Sequence, residues 1–334
     1  MSLYAGSHSP GKSVSNLLLR FSRRLFLDSS EQERFVEALT QPRPDYSCIL
    51  WCRDRVEVPF AIAPPLSWQP AFVDRLSAHE KPGKHPLHDQ GYYYCLDFSS
   101  VFAASSLLAI PQSIQPINLV IDMCAAPGGK SLFALRSLQP KILISNEVIG
   151  KRIGALTSNL KRCSVSGMFS QHTAERIVLG LDSKVFAGET PQTAEVVIVD
   201  APCTGQSLLA KGEKAPGCFH PININKNANR QKRILANSAQ LVAPQGYLAY
   251  MTCAYSPEEN EQVSEWILQK FPQFQPVTIP HLQDFQSHLS DFPCYRMFPQ
   301  NGLGAGAFTV LFQNTETGEK QAIPSGFLEK FKHF

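Results

Sequence analysis

The segment Val120-Ile-Asp-Met-Cys-Ala-Ala-Pro-Gly-Gly-Lys-Ser131 sets the expected architecture of the chain. It begins as an apolar run and continues through small residues and two glycines into a helix-length stretch. Such a strand-turn-helix brings backbone N–H groups close to a ligand, so the segment predicts a nucleotide-type site at the end of a first strand. It is not a P-loop, because position 124 is cysteine where that motif needs glycine, and it lacks the Gly-x-Gly-x-x-Gly dinucleotide fingerprint.

Beyond residue 117, apolar runs alternate with helix-length segments, which is typical of a parallel sheet with crossover helices. The runs expected to form parallel strands are 117–123, 142–147, 168–171, 196–200 and 247–253. The expected helices are 130–138, 151–162, 229–241 and 257–270, and runs 275–279 and 307–312 would add antiparallel strands. We therefore predict an α/β, Rossmann-like domain with a mostly parallel seven-stranded sheet.

The first quarter of the chain differs in texture from the rest. Residues 10–28 predict a short basic amphipathic helix, and Ser30 with Glu33 resembles a capping box that opens a second helix. Prolines then interrupt short apolar runs. We predict a small α+β accessory region at 1–88, a larger α/β domain at 89–314 and a C-terminal tail at 315–334.

Charge and cysteine content constrain the class of protein. The chain has 334 residues, a net charge of +3 and nine cysteines. An odd number of cysteines with no Cys-x-x-Cys pair favours free thiols in a reducing compartment, so we expect a cytoplasmic protein without a structural metal. No apolar run approaches the ~18 residues of a membrane span, so no membrane association is expected.

Three strand exits carry residues with chemical potential. Glu147 lies 19 residues after Gly128, the distance at which an acid binds the ribose hydroxyls of an adenosine-containing ligand. Asp200-Ala-Pro-Cys203 follows one apolar strand, and Thr252-Cys253 ends the next, before a helix that we expect Ser256 to cap. Because parallel strands end at one edge of a sheet, the two cysteines would face one crevice, which suggests paired thiol chemistry.

These segments together carry a family resemblance. The motifs MCAAPGGKS, NEVIGKR, DAPCTG and TCAYSPEENE resemble the S-adenosylmethionine-dependent RNA cytosine-5 methyltransferases of the Nol1/Nop2/Sun family. The resemblance covers roughly residues 88–313 and is greatest to the bacterial ribosomal-RNA enzymes. It implies a class I methyltransferase domain at 89–314, an accessory region at 1–88 that faces RNA, S-adenosyl-L-methionine as cofactor and 5-methylcytosine as product.

The resemblance also implies roles for individual residues. Carbon 5 of cytosine becomes nucleophilic only after a thiolate adds to carbon 6. Cys253 would supply that thiolate, which we expect the dipole of the helix beginning beside it to favour. Cys203 would assist release of the adduct, Asp200 would bind the base, and Lys130 would support Asp200 or a thiol. The cofactor would contact Cys124, Ala125, Ala126, Pro127, Gly128, Gly129, Lys130, Glu147, Arg152, Thr173 and Asp200. The family has an acid after the third strand, a position that we assign to Gln171-His172-Thr173.

Basic and aromatic residues around the expected crevice favour RNA as the partner, either ribosomal RNA or a pre-ribosomal particle, or else transfer RNA. Phe219, His220 and Tyr255 are candidates for stacking on a flipped base. The basic residues are Arg20, Arg23, Arg24, Lys151, Arg152, Lys161, Arg162, Lys211, Lys214, Lys226, Arg230, Lys232 and Arg233. We expect the protein to act as a monomer.

Two other readings remain open from the sequence. A DNA cytosine-5 methyltransferase would use Cys203 as its nucleophile and would not need Cys253. A cofactor-binding RNA assembly factor with weak catalysis would explain a missing acid after the third strand. The presence of both cysteines argues against each alternative.

Overall fold

The computed structural model describes residues 15–42, 47–114, 116–163 and 174–331. The helices are α1 (Asn16–Leu25), α2 (Ser29–Thr40), α3 (Pro86–Asp89), α4 (Phe98–Ser105), α5 (Gly129–Leu138), α6 (Gly150–Arg162), α7 (Ser183–Glu189), α8 (Pro221–Ala239), α9 (Glu261–Lys270) and α10 (Phe327–Phe331). The strands are β1 (Ser47–Trp51), β2 (Val73–Arg75), β3 (Tyr93–Asp97), β4 (Leu119–Asp122), β5 (Ile142–Asn146), β6 (Glu175–Leu179), β7 (Ala194–Asp200), β8 (Val242–Thr252), β9 (Phe274–Pro276), β10 (Tyr295–Met297) and β11 (Ala307–Asn314).

A large mixed sheet organises the chain and confirms the predicted Rossmann-like α/β class. Seven of its strands follow the order β10-β11-β8-β7-β4-β5-β6, and β9 pairs with β11 as an eighth strand. Strands β8, β7, β4, β5 and β6 run parallel, whereas β9, β10 and β11 are antiparallel. The described part of the sheet therefore has one strand more than the seven expected.

The central strands are apolar on both faces because helices cover both sides of the sheet. Val120 and Val196 belong to one apolar cluster, while their neighbours Ile121 and Val197 belong to the cluster on the opposite face. Side chains alternate between faces along a strand, so continuous apolar runs are what a sheet buried on both sides requires. This explains why the sequence pattern located these strands.

The third parallel strand differs from its predicted position. Residues 168–171, where we expected it, lie outside the described residues, and β6 at Glu175–Leu179 pairs with β5. This strand forms one edge of the sheet, and its first residue, Glu175, is exposed. A charged start at an edge strand obscured the short apolar run that follows it.

Two helix starts also differ from the sequence prediction. Asp28 caps α2 through bonds from the backbone N–H groups of Ser30 and Glu31, so Ser30 is not the cap. Helix α9 begins at Glu261, later than the predicted start at 257. The Ser256 hydroxyl donates instead to the Glu259 carboxylate at 2.6 Å, which ties up the expected cap in a side-chain bond.

The N-terminal elements form a small sheet and a helical pair beside the large sheet. The small sheet has the order β2-β1-β3. Helices α1 and α2 pack through Phe21 and Phe35, and the Phe35 ring lies 5.2 Å from that of Tyr255. Strand β3 lies beyond the expected domain boundary at residue 88, so the division of the chain at 88 and 314 stays a prediction. None of the described helices has the length and apolar character of a membrane span.

Candidate active site

A cleft of about 430 Å³ lies at the carboxyl ends of the parallel strands. Open α/β sheets bind ligands at this edge, where helix N-termini and loops converge. Its lining combines residues from the exits of β4, β5, β6, β7 and β8. Those that carry chemical groups include Cys124, Glu147, Arg152, Asp182, Asp200, Cys203, Arg230, Arg233 and Cys253.

The glycine turn after β4 forms one wall of the cleft. Gly128 precedes α5 with a φ of 117°, a left-handed conformation that favours glycine. The Ala125 N–H donates to the Asn146 carbonyl at 2.8 Å, which joins this turn to the end of β5. Of the predicted cofactor contacts in this turn, Cys124 and Ala126 line the cleft. Among the described residues, the cleft lining does not include Ala125, Pro127, Gly128, Gly129 and Lys130.

Glu147 places a buried carboxylate at the exit of β5. Its Oε1 accepts a hydrogen bond from the Ile149 backbone N–H at 2.8 Å, and its Oε2 lies 2.8 Å from Nη1 of Arg152. Arg152 also donates to the carbonyl of Ala126 in the glycine turn. A carboxylate offers about four acceptor positions, so Glu147 retains capacity for a ligand diol.

Asp182 is a functional candidate that the sequence interpretation missed. It lies three residues after β6, lines the cleft, and caps α7 by accepting from the Lys184 N–H at 2.9 Å. An acid therefore does follow the third strand, contrary to our expectation, while Thr173 and His172 lie outside the described residues. The sequence signal was the apolar run 177–179 followed by Gly-Leu-Asp-Ser.

Lys130 and Asp200 form a half-buried ion pair across the base of the cleft. Nζ of Lys130 lies 3.0 Å from Oδ2 of Asp200, and their side chains are 11% and 34% exposed. Burial is the largest influence on the Lys130 pKa and lowers it, but the Asp200 charge and hydrogen bond overcome that influence and raise the pKa. Lys130 is therefore a cation that orients the Asp200 side chain at the cleft.

Asp122 lies below this pair at the end of β4 and is fully buried. The Ser131 hydroxyl donates to its Oδ2 at 2.7 Å. Burial, reinforced by the nearby Asp200 charge, raises the pKa of Asp122 to about 7. The protonation of this side chain therefore changes near neutral pH.

The two cysteines meet in the cleft as the sequence predicted. The Sγ atoms of Cys203 and Cys253 lie 3.0 Å apart, and both residues are free thiols. A hydrogen bond from Cys203 lowers the pKa of the Cys253 thiol. A hydrogen bond from Ser207 and the charge of Lys130 lower this pKa further, whereas burial and the charge of Asp200 act to raise it. The pKa of Cys203 is raised well above its usual range by the same hydrogen bond and by burial. Cys253 is thus the sulfur that ionises first.

The cause of this ionisation differs from the one predicted. We expected the dipole of a helix beginning beside Cys253 to stabilise its thiolate. Helix α9 begins at Glu261, eight residues after Cys253, and macrodipole effects decline within the first turn. The neighbouring Cys203 thiol takes the role expected of the helix.

Several predicted RNA-contacting residues have partners inside the protein. Arg24 pairs with Glu258, Lys211 with Asp97, Arg162 donates to the His88 and Tyr93 carbonyls, and Lys232 lies over the Trp266 ring. The residues predicted to stack on a flipped base also make contacts within the protein. The Phe219 ring lies 4.9 Å from that of Phe21, Tyr255 is buried, and His220 caps α8.

A basic ridge on α8 continues from the cleft. It consists of Lys226, Arg230 and Arg233, whose spacing puts them on one face of the helix. Arg230 and Arg233 line the cleft, and all three line an adjoining pocket of about 520 Å³. Helix α8 contains no acidic residue, so the ridge is uniformly positive.

Comparison with known proteins identifies a family match around this site. The family model described as 16S rRNA methyltransferase RsmB/F matches residues 110–313, which include all four motifs. A curated relative, ribosomal RNA small subunit methyltransferase F of Klebsiella pneumoniae strain 342, is 30% identical over 254 residues, which are 75% of this chain and 50% of the relative. The chain spans about half the length of the curated relatives it matches.

Two solved structures share the fold. The crystal structure of PH0851 superposes with a TM-score of 0.74 at 20% identity, covering 92% of this chain and 69% of that one. NSun6 from Pyrococcus horikoshii has a TM-score of 0.68 at 16% identity, covering 91% and 99% of the two chains. The fold shared with these structures thus extends over nearly the whole chain.

Proposed function

The chain belongs to the 16S rRNA methyltransferase RsmB/F family, as its four motifs indicated, and from this premise we propose that it is an S-adenosylmethionine-dependent RNA cytosine-5 methyltransferase. The observation that carries the proposal is the approach of Cys203 and Cys253 to 3.0 Å in the cleft, beside the Lys130–Asp200 ion pair. This reaction needs an activated thiol, a carboxylate that binds the base and a surface that binds the nucleoside of the cofactor. The cleft offers residues suited to all three.

The residues of the cleft fit S-adenosyl-L-methionine. Small-molecule sites commonly have volumes of ~300–1,000 Å³, and this cleft measures about 430 Å³. Glu147 would accept the ribose hydroxyls, and Asp182, the acid that follows the third strand, would accept from the adenine amino group. Apolar side chains of Ile149 and Leu181 line the same cleft and suit the faces of a purine ring. When bound, the cofactor would supply an electrophilic methyl group.

Cys253 would begin the reaction on the cytosine. Its thiolate adds to carbon 6, forming a C–S bond and moving electron density to carbon 5 and the ring nitrogen. Asp200 accepts hydrogen bonds from the exocyclic amine, or from the ring nitrogen once water has protonated it, and Lys130 keeps Asp200 oriented. Carbon 5 becomes nucleophilic only after this addition, so the Cys253 thiolate is the group that activates the substrate.

Cys203 would act when the product leaves. Loss of the carbon 5 proton to a water molecule re-forms the carbon 5–carbon 6 double bond and expels Cys253 as a thiolate. At 3.0 Å from that sulfur, Cys203 is in hydrogen-bonding reach of the leaving group. A thiol that donates to a departing thiolate lowers the barrier to its release.

The α8 ridge supports RNA as the substrate. Three cations that lead from the cleft along one helix face can follow the phosphates on either side of a flipped base. The family model and the curated relative's name favour ribosomal RNA of the small subunit, with transfer RNA as the alternative.

Methyl transfer from radiolabelled S-adenosyl-L-methionine tests the proposal. Purified protein is incubated with small-subunit ribosomal RNA, assembled subunits, transfer RNA or DNA, and the product is mapped by bisulfite sequencing. We expect 5-methylcytosine in ribosomal RNA. Labelled DNA would indicate the DNA enzyme class, and cofactor binding without transfer to any nucleic acid would indicate an assembly factor.

A further inference from the structure

A fully buried carboxylate, Glu259, joins the two loops that carry the cysteine pair. Its Oε1 accepts hydrogen bonds from the Thr204 backbone N–H at 2.9 Å and from Gln231 Nε2 at 3.0 Å. Its Oε2 accepts from the hydroxyls of Thr204 and Ser256, both at 2.6 Å. Thr204 directly follows Cys203, and Ser256 lies three residues after Cys253, so one side chain ties both thiol loops together.

Burying a carboxylate between two loops costs desolvation free energy that a neutral side chain would avoid. Glu259 is 0% exposed, and no cation among the described residues forms an ion pair with it. Burial raises the Glu259 pKa, while the hydrogen bonds from Ser256, Thr204 and Gln231 stabilise the charged form. The Gln231 amide NH₂ and the Thr204 N–H can only donate, so the site is built for an ionised acceptor. A buried charge held this way suggests that the charge itself is used.

The charges around the two sulfurs are unequal. Glu259 is bonded to the residue that follows Cys203, and its negative charge disfavours ionisation of Cys203. On the other side, the positive charge of Lys130 favours ionisation of Cys253, and Asp200 opposes it. The titratable and charged groups that act on the pair or its surroundings are Lys130, Asp200, Cys218, Tyr250, Tyr255 and Glu259.

We propose that Glu259 is a positioning residue that determines which of the two thiols keeps their shared proton. Its carboxylate, bonded to both loops, sets the sulfurs side by side and holds the proton on Cys203 Sγ, which leaves Cys253 Sγ as the thiolate. No bond to substrate is involved, because Glu259 lies outside the cleft lining. The proton partition is a property of the free protein, and only its value for catalysis rests on the proposed function.

Alkylation of the two thiols tests the partition without RNA or cofactor. Iodoacetamide reacts with the thiolate, so initial rates at Cys253 and Cys203, followed by peptide mass spectrometry from pH ~5 to ~10, report the two ionisations separately. In the protein without substitutions, Cys253 should react at lower pH than Cys203. In Glu259→Gln the ratio of the two rates at about pH 7 should fall about tenfold or more, since one pKa unit changes a thiolate fraction about tenfold.

Two further variants separate charge from structure. Glu258→Gln makes the same change one residue away, on a carboxylate that pairs with Arg24, and should leave the rate ratio unchanged. Glu259→Asp keeps the charge and should preserve the order of reactivity, whereas a purely structural role would lose it. Equal reactivity of the two thiols in the unmodified protein, or an unchanged ratio in folded Glu259→Gln, would overturn the proposal. If Glu259→Gln does not fold, the unmodified protein and Glu259→Asp still decide it, and failure of RNA methylation affects neither result.

Discussion

The sulfur of Cys203 lies 3.0 Å from the sulfur of Cys253, although 50 residues separate the two in the sequence. The approach arises because β7 and β8 are parallel neighbours in the sheet, with Asp200 paired to Met251. Each cysteine lies just beyond its strand, so the same register that pairs the strands brings the thiols together. A flipped cytosine would meet both sulfurs at one edge of the sheet.

Replacing Cys253 should abolish methyl transfer. In Cys253→Ala no thiolate can add to carbon 6, while the cofactor wall formed by Glu147 and Asp182 is intact. We expect no detectable labelled RNA and cofactor affinity within about twofold by calorimetry. Cys95→Ala, a thiol on β3 outside the cleft, is the matched control and should keep full activity. Substantial transfer by folded Cys253→Ala would contradict the assignment.

Replacing Cys203 should trap the enzyme on its RNA. Cys203→Ala still allows Cys253 to attack and the methyl group to transfer, but release of the adduct loses its proton donor. Incubated with RNA and cofactor, the variant should give a slower, nuclease-sensitive band on a denaturing gel. A band with Cys253→Ala and none with Cys203→Ala would reverse the two roles, and no band with either would leave the covalent mechanism unsupported.

Cofactor affinity should depend on Glu147. The Glu147→Ala change removes an acceptor for two ribose hydroxyls, and hydrogen bonds to a charged group contribute ~1.5 kcal/mol or more. Calorimetric titration with S-adenosyl-L-methionine should show at least that loss. Glu189→Ala, an exposed acid at the end of α7, serves as the control. Unchanged affinity in Glu147→Ala would rule out the ribose role.

Asp122 should make the stability of the fold depend on pH. Because its folded pKa is raised to about 7 from an ordinary value of 3.8, the folded state retains a proton that the unfolded state has lost. Stability is therefore greatest below the unfolded value and is lost as pH rises to about 7. Asp122→Asn removes this loss, so its unfolding free energy relative to the unmodified protein should rise by about 2 kcal/mol between pH ~5 and ~8. Urea titrations at both pH values measure it, and a constant difference would refute the shift.

RNA affinity should depend on the positive charges of the α8 ridge, because these charges neutralise RNA phosphates. Each of Lys226→Ala and Arg233→Ala should weaken RNA binding and reduce the slope of log affinity against log salt by ~0.7 for each phosphate that is no longer neutralised. Lys270→Ala at the end of α9 is exposed, lies outside both pockets and should not change the slope. Equal slopes for all three variants would exclude the ridge as a phosphate track.

Local chemistry explains what could be predicted before the structure. Helices α5 and α6 lie within a residue of their expected starts, because small residues and glycines enforce the turns that precede them. In contrast, β6 begins with charged residues at the sheet edge, so the sequence pattern did not indicate a strand there. Because the strand was expected earlier in the chain, Asp182 was not recognised as the acid that follows it. The start of α9 was misplaced because Ser256 bonds to Glu259 and does not cap the helix.

The sequence by itself determined the α/β class, the order of the parallel strands along the chain and the two thiols at strand exits, since apolar periodicity and turn residues act over a few neighbours. Only the tertiary structure decided that the two sulfurs approach to 3.0 Å, that Glu259 bonds to both of their loops, and that the Lys130 amino group pairs with Asp200. The pairs Cys203–Cys253, Thr204–Glu259 and Lys130–Asp200 join residues 50 to 70 positions apart. They depend on strand register and on the desolvation of charges inside the packed fold, which no local pattern encodes.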